Sequence, residues 1–83
     1  MEFTLSDHAE HVIRERRIEI NDIMKVLEEP ELVLDDKKDP ALEHRLKVIA
    51  HYNNRVLRVI VNKIADPIRI ITAYYDRSMK GKI

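Results

Sequence analysis

The chain has 83 residues, 45% of them apolar and 36% charged, with no cysteine and a single glycine. That length bounds one small domain, residues 1–83, with a modest core. The missing cysteines exclude a disulfide framework and a thiolate metal site, the lone glycine excludes Gly-rich phosphate loops, and no apolar run approaches a membrane span or signal peptide. Net charge is zero, but residues 1–40 hold six Lys/Arg against twelve Asp/Glu, a net of −6, and residues 41–83 hold nine against three, a net of +6. Such a split predicts an acidic helical side and a basic anion-binding side. The composition reads as cytoplasmic, with no membrane contact.

Glu2 to Leu5 reads as a short extended lead-in. Ser6 or Asp7 caps a first helix reaching about Arg16, with Ala9, Val12 and Ile13 along one stripe. A second helix covers about Asn21 to Glu28, its apolar face made by Ile20, Ile23, Met24 and Leu27, and it ends before Pro30. Leu32-Val33-Leu34 is a short strand, and Asp35 to Pro40 a charged, mobile turn.

Three longer strands follow: Arg45–Tyr52, Arg55–Asn62 and Ile68–Tyr75, all rich in β-branched residues. Asn53-Asn54 fits a two-residue primed turn, since Asn tolerates positive φ. That turn sets Ala50 opposite Leu57, Val48 opposite Val59 and Leu46 opposite Val61, all on the core face. Asp76 to Ile83 is a basic, flexible tail. The expected fold is α+β: two N-terminal helices on one face of a four-stranded antiparallel meander.

The same register gathers Arg45, Lys47, Arg58 and Arg69 on the other sheet face, with His51 and Tyr75 in reach. Several cations beside an imidazole and a phenol suit a polyanion. Cleaving RNA without a metal needs a base for the 2′-hydroxyl, cations for the phosphorane and an acid for the leaving oxygen. Arg69, Lys47, Arg58, His51 and Tyr75 supply those groups, and Arg45, Arg77 and Lys80 add anion-binding charge. Ile49, Ile60 and Ile71 on that face fit an interface, as in a homodimer. His8 and His11 share a helix face, but no third ligand stands at motif spacing, so no metal or other cofactor is assigned.

The run Ser6-Asp7-His8-Ala9, Glu15-Arg16, Ile18, Asp22-Ile23, Leu27 and Pro30-Glu31 resembles a widespread family of short bacterial and archaeal proteins of unknown function. That family resembles in turn the RelE-type toxins, close to BrnT, whose Arg-Ile-Ile-Ser-Ala strand is similar to Arg69-Ile70-Ile71-Thr72-Ala73. His8, Arg16 and Arg69 match these motifs; Val12 replaces the family's first Arg, Arg17 its Gly, and Tyr74 and Tyr75 stand where BrnT proteins carry basic residues. The resemblance implies a RelE/BrnT-like fold and an endoribonuclease toxin acting on messenger RNA, with or without the ribosome, and silenced by an antitoxin. The alternative is a non-catalytic protein- or RNA-binding or dimerisation module on the same fold.

Overall fold

The computed structural model describes residues 2–83. Strand β1 (Phe3–Leu5) leads into α1 (Asp7–Glu15) and α2 (Ile20–Glu28), followed by β2 (Leu32–Asp35), β3 (Leu42–Ile49), β4 (Arg55–Asn62) and β5 (Ile68–Tyr75). A single 3-10 turn, Arg77–Met79, closes the chain. The five strands form one mixed sheet in the order β1-β5-β4-β3-β2. Strands β2 to β5 run antiparallel in sequence order, while β1 pairs parallel to β5, Phe3 opposite Ile68 and Leu5 opposite Ile70. The lead-in is thus a strand, and the sheet has one strand more than the expected meander.

Local chemistry sets both helix ends of α1. The Ser6 hydroxyl oxygen accepts from the Ala9 N–H at 3.0 Å and donates to the Ile71 carbonyl at 3.0 Å, so one side chain caps the helix and ties it to β5. At the other end the Ile18 N–H reaches the Ile13 carbonyl and the Arg17 N–H the Arg14 carbonyl, a Schellman closure. Arg17 stands there at φ 53°, the left-handed region where glycine is cheapest.

Ile23, Val26 and Leu27 of α2 and Ala9 and Ile13 of α1 pack on Ile49, Leu57, Val59, Val61, Ile70 and Ala73 of the sheet, forming one buried cluster. The register of β3 differs from expectation. Leu46 lies opposite Arg58, Lys47 opposite Leu57, and Val48 opposite Val56. Asn53 and Asn54 do take positive φ, 54° and 55°, but the connection between the strands runs from Ala50 to Asn54 rather than over two residues. Lengthening the loop by three residues slides β3 by an odd number, and an odd slip turns every side chain to the other face. Arg45, Lys47 and Ile49 therefore face the helices. Leu46 and Val56 are fully buried on the opposite side, outside the main cluster. A second irregularity lies in β5: the pairing shifts between Val61 opposite Ile70 and Ile60 opposite Thr72, leaving Ile71 as a bulge. Beyond it the alternation reverses, so Ala73 and Tyr75 also face the helices. Ile49, Ile60 and Ile71 do not form a common apolar face.

Candidate nucleic-acid interface

The expected cationic face does not form. Arg45 and Lys47 lie on the helix side, where they cap α2: Arg45 Nη1 donates to the Leu27 carbonyl at 3.1 Å and Lys47 Nζ to the Glu29 carbonyl at 3.0 Å. Arg45 also pairs with Glu43 at 2.8 Å. Arg58 is on the other face, paired with Asp76 at 2.8 Å. Arg69 shares that face and is exposed, but it pairs with Asn62, whereas Tyr75 pairs with Leu57 at the far end of the same two strands. At about 3.3 Å per residue, Arg69 and Tyr75 stand roughly 20 Å apart along β5, and Arg69 and Arg58 roughly 16 Å apart. Lys47, Arg58 and Arg69 therefore share no phosphate.

A different set converges, at the end of the sheet where β3 turns into β4 and β5 ends. Asp22, in the first turn of α2, is 2% exposed. Its Oδ1 takes the Nε2–H of His51 at 2.8 Å, with Lys25 Nζ at 3.7 Å. The His51 side chain is 59% exposed. A carboxylate buried beneath an exposed imidazole fixes its tautomer, leaving Nδ1 as the free lone pair. Tyr52, the next residue, meets Tyr75 edge to face at 5.0 Å between centroids, and the Arg55 guanidinium lies 4.7 Å over the Tyr52 ring. Burial, and then the negative charge of Asp22, push the Tyr75 phenol above its ordinary pKa, so it stays protonated at neutral pH. Tyr75, Arg55, Val56, Asp76, Arg77 and Lys80 line a cleft of about 300 Å³. The tail expected to be flexible thus contributes two of its three cations, Arg77 and Lys80, to this cleft, and Asp76 anchors it: the Asp76 N–H bonds the Val56 carbonyl at 2.8 Å, and its side chain caps the terminal 3-10 turn.

On the sheet face away from the helices a second polar chain runs through half-buried groups. His44 Nε2–H donates to Asp36 Oδ1 at 2.7 Å, Arg58 Nη1 donates to His44 Nδ1 at 2.7 Å, and Arg58 Nε donates to Asp76 Oδ2 at 2.9 Å. The bond from His44, with the N–H groups of Asp39 and Lys38, holds the Asp36 carboxyl at a pKa of about 2. Asp76 is also lowered, mainly by its bonds to Ser78 and then by Arg58. Both nitrogens of His44 are engaged, so this chain braces the fold and offers no free base.

A family described as a domain of unknown function, DUF4258, matches residues 5–75. The chain belongs to it. No curated protein and no solved structure matches. Within this DUF4258 chain, the motif residue Arg16 serves the structure. Its Nη1 donates to the Ala73 carbonyl at 2.8 Å, satisfying β5 beyond the reach of the short β1. His8 is exposed at the start of α1, far in sequence from the converging set. No helix among the described residues is long and apolar enough to cross a membrane.

Sequence reasoning does not pick out Asp22, Tyr52, Arg55 or His44 as site residues. Asp22 carries a signal: an acid one helical turn before Val26, on the stripe that buries, asks for a partner. His44 alternates with Leu42 and Leu46, but that becomes informative only once the register of β3 is known.

Proposed function

We propose that the protein is a toxin-like, metal-independent endoribonuclease whose reactive end is the end of the sheet that carries His51 and the Tyr75 cleft. The His51–Asp22 pair carries this reading: an exposed imidazole, oriented by a buried carboxylate, at the same end of the sheet as the cleft that Arg55, Arg77 and Lys80 line. His51 Nδ1 takes the proton of a ribose 2′-hydroxyl, whose oxygen attacks the adjacent phosphorus. The Arg55 and Arg77 guanidinium groups and Lys80 bear the charge of the phosphorane. Tyr75 gives its proton to the leaving 5′-oxygen, closing a 2′,3′-cyclic phosphate, and the imidazolium returns a proton to the phenolate. The resemblance of the Arg69–Ala73 strand to that of BrnT-type toxins adds an antitoxin as silencing partner to this reading but no residue to its site. Arg45, Lys47 and Arg58, held by internal bonds, and Arg69, at the far end of β5, take no part in it.

The test is cleavage of a single-stranded RNA in EDTA, alone and with ribosomes, together with growth of bacteria expressing the chain alone. The wild type should arrest growth and yield cyclic-phosphate ends. His51→Ala should cut the rate ~10²–10⁴-fold, and Arg69→Ala should leave it unchanged. Absence of cleavage in every condition would sink the enzymatic reading. RNA binding at the cleft without cleavage would establish the non-catalytic module instead.

A further inference from the structure

Tyr52 has no part in the chemistry proposed above, yet its loop holds the ring in a defined place. The Tyr52 N–H bonds the Ile49 carbonyl at 3.1 Å and the Arg55 N–H the Tyr52 carbonyl at 3.1 Å, while Asn53 and Asn54 turn the chain through left-handed φ. The ring meets Tyr75, and Arg55 lies over it and donates from Nη1 to the Tyr52 hydroxyl at 3.3 Å. Held by both neighbours, Tyr52 is still 41% exposed, so core packing does not account for the cluster. Tyr75 and Arg55 also line the cleft, which makes ring and cleft continuous. Inside the cleft the charge is unbalanced. Its one carboxylate, Asp76, is taken by Arg58 and Ser78, and Arg55, Arg77 and Lys80 form no ion pair among the described residues.

We infer that this end of the sheet takes an unpaired nucleotide of a single-stranded RNA, its base against the Tyr52–Arg55 pair and its phosphate on Arg77 and Lys80. Bases stack on tyrosine rings and on guanidinium planes alike. Arg55 joins the two halves of the site, since a guanidinium offers its plane to a base and its N–H edge to a phosphate. The surplus cations supply the attraction for the backbone. A duplex cannot use the same groups. In A-form RNA each base face is covered by its neighbours, and the shallow groove shows only base edges and 2′-hydroxyls, so neither the ring nor the guanidinium finds a stacking partner there. The inference rests on the RNA reading of this end of the sheet and adds the form of the substrate, an unpaired base next to the bound phosphate. It does not depend on the cleavage step.

The experiment titrates the full chain carrying His51→Ala, which leaves RNA intact, into a short RNA with 2-aminopurine between uridines, single-stranded or annealed to its complement, and reads fluorescence intensity and anisotropy. The single strand should bind with its 2-aminopurine quenched by stacking, the duplex about tenfold more weakly, and affinity should fall with salt. Adding Tyr52→Leu should abolish the quench and weaken binding about tenfold, whereas Tyr52→Phe, which keeps the ring, should retain both. Arg77→Gln with Lys80→Gln should weaken binding and lower the salt slope but leave the quench at saturation. These charge variants leave the ring cluster untouched, so a packing defect in the leucine variant does not decide the outcome. A quench that survives Tyr52→Leu, equal affinity for the duplex, an unchanged salt slope in the double charge variant, or no binding of either RNA would each overturn the inference. The wild type, incubated with the same strand, separates this from the chemistry. A Tyr52-dependent quench without cleavage upholds the inference and sinks only the enzymatic reading, while cleavage with a quench indifferent to Tyr52 sinks the inference alone.

Discussion

Replacing Arg58 by Met keeps most of the side-chain stem and removes the guanidinium at the centre of the Asp36–His44–Arg58–Asp76 chain. The change deletes the paired contact to Asp76 Oδ2 and the donor to His44 Nδ1. Side-chain exposure of Arg58 and Asp76 is 14% and 12%, between a surface pair, worth about 0–1 kcal/mol, and a fully buried pair, whose breaking costs about 3–5. Bonds to charged groups are worth about 1.5–3 kcal/mol each, and Asp76 keeps its Ser78 donors. The expected loss is therefore about 2–3 kcal/mol, a large fraction of the roughly 4–12 kcal/mol expected for a domain of this size. Urea unfolding should show a lower midpoint at unchanged slope. Much of the loss is the cost of leaving Asp76 unpaired, so Asp76→Asn in the Arg58→Met background should cost less than Asp76→Asn alone, with a coupling of about 1–2 kcal/mol. An Arg58→Met variant within about 0.5 kcal/mol of wild type, or strictly additive losses in the double variant, would refute the argument that this chain braces the open face.

The same chain has a pH signature. The folded-state pKa of Asp36 is about 2, below its unfolded value of roughly 3.9, so its stabilisation is complete above about pH 4 and drains as pH falls toward 2. Asp36→Asn should flatten the acid limb of stability in that window relative to wild type, measured by urea unfolding at stepped pH; parallel curves would contradict the assignment. Arg17→Gly relieves a left-handed residue at the Schellman closure and should stabilise by about 0.5–1 kcal/mol, less the added freedom of glycine in the unfolded chain. A melting temperature equal to or below wild type would show that the Arg17 side chain offsets its backbone cost.

What can be read along the chain is what local physics decides. Ser6 as a cap, the Ala9-Val12-Ile13 stripe and the Ile23-Leu27 face determine two short helices, and Pro30 bounds the second. β-branched runs determine the strands, and consecutive Asn residues mark left-handed φ. The core contribution of Leu57, Val59, Val61 and Ile70 follows from alternation alone. The site is less legible because it depends on parity. The five-residue loop at Ala50–Asn54 moves β3 by three positions, and the bulge at Ile71 reverses β5. Each event turns a row of side chains over at little local cost, so neither is marked in the periodicity. Together they send Arg45 and Lys47 to the end of α2 and Tyr75 to the helix side, near Asp22. The parallel pairing of β1 with β5 links residues more than sixty positions apart, and only packing of the whole chain decides it. The meeting of His51 with Asp22 likewise joins a strand loop to a helix start through a contact that no local preference encodes.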